Sequence, residues 1–335
     1  MPVIAFRGEA ATAPPSATLL LEGVASMREQ IPTSQLRIIH TFQNAFVHNC
    51  YNSLIWFDRD RRFYETVSSN YNQSDRVRMY YDGKDVGHFS VNDSSSVRIR
   101  NLDSGTSDFL CDPRLFGITP YYSWDDTIRR CLLLEAPEVP ETLLIGLEEV
   151  DDRMCWRVRT FLPSRDLQRD FWIDHQNQFA VYRMEEKLGQ HGLITVRSVY
   201  ENPSYPWLPS RIETVERGRD GKVRDRREIK IVEAEADVAI PPDTFSLTGL
   251  LRGQELPELV QVTDVRKPEI IGYWSKGRLW NPDLTDLWKE KLAQAPAVLN
   301  LRRKVLMVAI TLLLLAPLAY LWWRQTRRPA RPTDR

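Results

Sequence analysis

RVRMYYDGKDVGHFSV, residues 76–91, decides the fold. β-forming valine, methionine, tyrosine and phenylalanine stand on both sides of Asp82-Gly83. That dipeptide supplies the positive backbone angles of a tight turn, so the stretch reads as a β-hairpin. Outward from it the period of two continues. It runs through LRIIHTFQNAF and NSLIWFDRDRRFYETVS on the N-terminal side. On the other side it resumes in ETLLIGLEEV, MCWRVRTF, DFWIDHQNQFAVYRMEEKL, GLITVRSVYE and WLPSRIETVERGRDGKVRDRREIKIVEA. Turns are expected at Asp151-Asp152, at Asp174 to Gln176 and at Asp220-Gly221.

Two helical pieces break the pattern. Leu19 to Ile31 places Leu20, Val24, Met27 and Ile31 at helical spacing, with Ser16 or Thr18 as N-cap and Pro32 as the stop. Residues 111–135 interrupt the strands. CDPRLFGI is a short helical or irregular piece, and Ser123-x-x-Asp126 opens SWDDTIRRCLLLEA like a capping box, closed by Pro137. One helix, about five strands, a helical interlude and about six more strands make a mainly β (α+β) domain. Its antiparallel sheet of ten or more strands must curl to close its core.

That order of elements, with YYDGK at 80–84, WIDHQNQFAVYRME at 172–185 and PPDTFSL at 241–247, resembles the lipoprotein-localisation-factor (LolA/LolB-like) superfamily of bacterial envelopes. The resemblance covers roughly residues 19–248. It implies an incomplete β-barrel, or half-barrel, with an N-terminal helix and a helical plug inserted mid-meander, and an interior able to take an acyl chain. Alternation assigns Leu54 and Trp56, Trp156 and Val158, Tyr182 and Met184, Ile194 and Val196, Ile212, Ile229 and Ile231 to the face opposite the charges. These are the candidate ligand-lining residues. Either they enclose an apolar cavity or they fill one another's space as an ordinary core.

Sequence chemistry points away from catalysis and cofactors. His40, His48, His88, His175 and His191 show no i, i+4 metal pair, and only His40 and His48 share strand parity. Gly218 to Lys222 lacks the spacing of a phosphate loop, and no Gly-x-Ser-x-Gly elbow occurs. Asp125-Asp126 and Asp151-Asp152 are explained by a helix start and a turn. Cys50, Cys111, Cys131 and Cys155 form no Cys-x-x-Cys pair, which leaves two alternatives: free buried thiols, or a Cys111–Cys131 staple across the plug.

The remainder of the chain concerns a membrane. Val305 to Trp323 is nineteen residues without a charge, flanked by Arg302, Arg303 and Lys304 on one side and by Arg324 on the other, with Tyr320, Trp322 and Trp323 at its end. This is the make-up of a transmembrane helix, kinked at Pro317. The 45 Lys+Arg and 45 Asp+Glu of the chain are unevenly shared: residues 301–335 carry +7 and the first 300 carry −7. An acidic domain without a basic stripe excludes nucleic acid as a partner. Residues 249–304 read as a juxtamembrane connector with an amphipathic helix after Asn281-Pro282, on which Leu284, Leu287, Trp288 and Leu292 share a face; Trp274, Trp280 and Trp288 either lie at the headgroup boundary or pack back on the barrel.

Residues 324–335 form a basic tail whose five arginines favour a cytoplasmic C-terminus and hence a periplasmic barrel. Residues 1–18 read as an Ala/Pro-rich leader, disordered or the remnant of an export signal; a cytoplasmic, tail-anchored orientation is the alternative. The expected function is a membrane-tethered, non-enzymatic barrel that binds a lipid or acyl-bearing ligand. The alternative is an envelope sensor or scaffold that uses the barrel to bind a protein partner, as some members of the superfamily restrain stress-signalling proteins.

Overall fold

The structure, a computed structural model, describes residues 14–68, 76–90, 96–101, 112–120, 127–188, 192–201, 206, 208–254, 256–264, 269–286 and 289–290. Helix α1 (Ala17–Glu29) leads into six strands: β1 (Ser34–Asn44), β2 (His48–Asp58), β3 (Arg61–Ser68), β4 (Arg76–Tyr81), β5 (Asp85–Ser90) and β6 (Ser96–Asn101). A 3-10 turn at Pro113–Leu115 and the one-turn helix α2 (Ile128–Cys131) form the plug. Strands resume with β7 (Glu141–Val150), β8 (Arg153–Leu162), β9 (Leu167–Asp174), β10 (Ala180–Leu188), β11 (Leu193–Val199), β12 (Arg211–Arg217) and β13 (Val223–Ala236). Helix α3 (Leu247–Leu251) and β14 (Val260–Asp264) follow.

The chain divides into two compact units, Met1–Ile270 and Ile271–Arg335. The first therefore runs past residue 248 and takes in α3 and β14. In it the strand order is β14-β6-β5-β4-β3-β2-β1-β13-β12-β11-β10-β9-β8-β7. Every neighbouring pair is antiparallel except β14 with β6, which is parallel, a feature that the short-turn reading of the sequence does not contain. The two ends of this order do not pair, so the sheet is unclosed. Strand β15 (Glu269–Ser275) spans the division, and its second-unit residues Tyr273 to Ser275 form a hairpin with β16 (Arg278–Trp280) in which Trp280 is buried and Arg278 lies over its ring.

The turns form where their residues predict. Asp82 Oδ1 accepts the amide hydrogens of Lys84 and Asp85 at 2.9 and 2.8 Å, and Gly83 takes a φ of 101°. Asp151 and Asp152 both hold positive φ, 50° and 61°, the requirement of a two-residue hairpin. Between β9 and β10, Asp174 Oδ1 caps the amides of Gln176 and Asn177. Ser16 is the N-cap of α1, its Oγ accepting from Leu19 N at 3.1 Å.

Curling is visible in the core. A single buried cluster draws Ile55 from β2, Tyr64 from β3, Met79 from β4, Phe171 from β9, Val196 from β11 and Ile229 from β13 onto Leu20, Leu21 and Val24 of α1. Leu115, Phe116, Ile118, Ile128 and Leu132 of the plug join them. Only a sheet wrapped round its helices brings strands so far apart in order into one cluster. The sequence expectation for α1 needs one correction: Met27 is only half-buried, and Arg28, 3% exposed, takes the inward position beside it. A long polar side chain does so because partners await it. Its Nη2 donates to Phe116 O at 3.1 Å and to Tyr200 Oη at 3.0 Å, tying helix, plug and sheet together.

Two further ties hold the plug. Asp112, almost fully buried, accepts from Arg62 Nη2 at 2.7 Å and from Arg114 Nη2 at 2.7 Å. Arg129 of α2 reaches Glu22 of α1 at 2.7 Å on the surface. Thr127, whose Oγ1 accepts from Arg130 N, caps α2. Ser123 and Asp126 lie outside the described residues, as does Cys111, so the Cys111–Cys131 staple belongs there too. Trp288, part of the connector helix, the leader up to residue 13, and the whole of Val305 to Trp323 also lie outside them. Among the described residues no helix is long and apolar enough to cross a membrane.

The two ties should differ sharply in value. Asp112→Ala leaves the buried Arg62 guanidinium uncompensated and is expected to cost about 3–5 kcal/mol, whereas Arg129→Ala removes partly exposed ion pairs to Glu22, Glu29 and Glu135 and should cost about 1 kcal/mol. Urea denaturation followed by tryptophan fluorescence checks both. Equal losses would mean that Asp112 is not the anchor of the plug.

Candidate functional site

The residues expected to line a cavity separate into four groups. Val158, Met184, Val196, Ile212 and Ile229 lie in the main buried cluster, with Trp156 and Ile231 packed against it. Leu54 and Trp56 are half-buried and alternate out of phase with Ile55 and Phe57, which are the buried residues of β2; Trp56 donates to Gln35 Oε1 at 3.0 Å. Ile194 is half-buried and outside the cluster. Tyr182 belongs to a different cluster, with Val150, Cys155, Trp172 and Ala180. The cause is a bulge: the β10–β9 register shifts between Val181 and Arg183, so Val181 and Met184 face the core and Tyr182 faces away. Strict alternation through residues 180–185 therefore fails at this one step.

α1 and the plug occupy the concave face, and at Gly23 a Cβ would stand 2.4 Å from the Phe179 ring. Among the described residues, α1 and the plug pack directly onto these inward side chains.

A cavity lies at the base of the plug. It measures about 530 Å³, between the end of α2 and the β8–β9 connection. Its apolar walls are Leu133, Ala136, Pro137, Leu162 and Leu167, three of which (Leu133, Leu162, Leu167) form a buried cluster with Ala136 packed against it. Arg130, Arg165 and Arg169 stand among them with a single carboxylate, Glu135. Backbone geometry makes this space. Leu133 takes a φ of 60°, a left-handed conformation that costs a leucine roughly 1–2 kcal/mol, and so ends α2 two residues after Cys131. Across from it, Pro163 and the left-handed Asp166 (φ 48°) turn β8 into β9. Arg169 is fixed by Glu186 Oε2 at 2.7 Å and Cys131 O at 2.5 Å, whereas Arg165 is exposed.

None of these residues stands out by alternation. The signal that points to them is the Leu132-Leu133-Leu134 run, too apolar for one face of so short a helix, with Pro137 and Pro163 breaking the chain on either side.

On the outer face, Asp170 is buried between two arginines. Burial opposes its ionisation, but hydrogen bonds from Arg159 (2.8 Å) and Arg157 (3.0 Å) outweigh that and hold the carboxyl below its ordinary range. Trp172 lies between the guanidinium groups of Arg157 and Arg183, 4.8 and 4.7 Å from its ring centre, and donates Nε1–H to Glu148 at 2.7 Å. Beneath this ladder Cys155 is a buried free thiol whose pKa burial pushes up to about 12, with the Asp174 carboxylate adding to the effect. Among the described residues no three His, Cys, Asp or Glu side chains stand together as a metal site.

No protein-family model matches the chain, and no curated protein matches it. Solved structures do. A LolA superfamily protein, NE2245 from Nitrosomonas europaea, is 14% identical, with 70% of this chain and 98% of that one covered and a TM-score of 0.43. A DUF1329 family protein from Desulfovibrio piger is 14% identical, with 71% and 100% covered and a TM-score of 0.47. An outer membrane lipoprotein-sorting protein domain from Vibrio parahaemolyticus is 9% identical, with 70% and 100% covered and a TM-score of 0.45. The similarity is one of fold, and it falls on the kind of structure that the order of elements resembles.

Alkaline pH tests the buried thiol. A folded pKa raised above the unfolded value means that the folded state holds the proton more tightly. Its contribution is therefore intact below the unfolded thiol value of roughly 8.5 and is lost as pH rises toward about 12. Tyr80, likewise raised to about 12 by burial and then by Asp82 and Asp85, adds to the loss. Because protonation and folding are linked, stability by urea titration should fall between about pH 9 and about pH 11, and fall less in Cys155→Ala. An identical fall in the variant would remove Cys155 from the account.

Proposed function

We propose that this chain is a non-enzymatic, membrane-tethered binding protein of the cell envelope, and that its ligand is an acyl-bearing amphiphile held at the base of the plug. The observation that carries the reading is the pairing of chemistries in one cavity. Leu133, Ala136, Leu162 and Leu167 offer an apolar floor, and Arg130, Arg165 and Arg169 offer cations beside it, in about 530 Å³. Ligand sites generally have this composition and fall within roughly 300–1,000 Å³. An apolar chain with an anionic end satisfies both halves, and neither a sugar nor a plain hydrocarbon does. Tethering follows from Val305 to Trp323, nineteen uncharged residues between basic clusters. The basic tail, residues 324–335, supports the periplasmic side for the barrel.

A second reading, in which the domain binds an envelope protein, has its own support. Strand β7 ends the sheet order, and Leu143, Ile145 and Leu147 on it are each more than 40% exposed. An apolar edge strand is a template for another chain.

Native mass spectrometry of residues 16–300, purified without detergent, separates the two. A bound mass of a fatty acid or phospholipid is the expected result. Leu167→Asp should weaken binding of a fluorescent fatty acid by at least about tenfold, while Tyr182→Ala, on the other face of β10, leaves it unchanged. A clean apo mass with no fatty-acid affinity would overturn the amphiphile reading in favour of the protein partner.

A further inference from the structure

The outer face of the sheet carries another cavity, of about 460 Å³, which the proposed function does not use. Strand register accounts for its charge. Arg183 of β10 stands directly opposite Arg197 of β11, and Arg197 in turn stands opposite Glu213 of β12. Like charges placed opposite each other across two strands repel, so this register is unfavourable unless something neutralises it.

The carboxylates within reach are already committed. Glu185 is bound by Arg183, and Glu213 is bound by Arg226, whose Nε donates to it at 2.7 Å. Arg197 meets no carboxylate within ion-pair distance among the described residues. Arg217, also lining the cavity, spends one Nη1 hydrogen on Gly221 O at 3.3 Å and has no ion pair among them either. Arg183 is fixed rather than free, with its guanidinium 4.7 Å from the Trp172 ring centre and its buried Nε without an acceptor. Four arginines thus line the cavity against two glutamates, and two of the four have no carboxylate among the described residues.

We propose that this trough is a binding site for a phosphate group, with Arg197 and Arg217 contacting it and Arg183, held by Trp172, completing the donor set. Guanidinium forks donate in parallel pairs, and a phosphate presents enough oxygens for several forks where a carboxylate presents two. The source of the phosphate is either a free ion or the phosphodiester of a lipid headgroup; both share the recognising chemistry.

Isothermal titration calorimetry of the full chain in a non-ionic detergent at low salt tests the site with three probes: inorganic phosphate, glycerophosphoglycerol and acetate. Arg197 and Arg217 are both exposed, so the double variant Arg197→Gln, Arg217→Gln is expected to fold, which its circular dichroism verifies. The wild type should bind a phosphate probe at least about tenfold more tightly than the variant does, and more tightly than it binds acetate. Preference for inorganic phosphate identifies the free ion, and preference for glycerophosphoglycerol the headgroup. Wild-type binding of neither phosphate, equal affinity in the variant, or acetate bound as tightly as phosphate would each overturn the proposal.

Discussion

A curled sheet that never closes has to cover its own concave face, and everything else in this domain follows from that constraint. β7 and β14 end the fourteen-strand order without meeting, so the apolar side chains of eleven strands are left facing inward with no opposite wall. α1 and the plug supply the wall. Neither is long, and neither would hold a stable helix alone. Their order derives from packing and from three polar ties: Arg28 to Phe116 and Tyr200, Asp112 between Arg62 and Arg114, and Arg129 to Glu22.

Arg28 has no carboxylate partner in this set. It sits in the last turn of α1, where the free carbonyls of a helix favour a cation, and its Nη2 donates to a plug carbonyl and to a tyrosine hydroxyl. Tyr200 Oη in turn hydrogen-bonds the backbone of Val181 at the bulge of β10. The same bulge that turns Tyr182 away from the core thus marks the point where helix, plug and sheet are joined. The cavity lies at the plug's margin, where Leu133 leaves helical geometry and the β8–β9 connection bends round it.

Most of the architecture is legible because turns are written in short-range chemistry. Asp82-Gly83, Asp151-Asp152, Asp174 and Asp220-Gly221 each specify their own backbone, and the period of two between them specifies strands. What is not legible depends on distant partners. A bulge at Val181 to Arg183 reverses the face of Tyr182 without any local sign, and β2 buries Ile55 and Phe57 where Leu54 and Trp56 look equally apolar. Arg28 reads as the polar edge of an amphipathic helix until Phe116, 88 residues on, is known to lie beside it. The parallel pairing of β14 with β6 joins segments far apart in sequence and has no turn signal to announce it. The cavity at the plug base escapes the sequence for the same reason: its walls come from α2, from the chain before β7 and from the β8–β9 connection, and only folding brings them together.

The proposal that ligand is held beside the plug, not beneath it, rests on the packing of α1 and the plug against the concave face. Cross-linking α1 to the plug tests this most directly. In a cysteine-free background, Glu22→Cys and Arg129→Cys, whose native side chains are in contact, are bridged with a short bismaleimide, and fluorescent fatty-acid affinity is measured before and after. The same affinity is expected in both states, since the cavity between α2 and the β8–β9 connection does not require the helix and plug to part. Loss of binding on cross-linking would contradict it and show that the ligand enters the half-barrel by displacing α1.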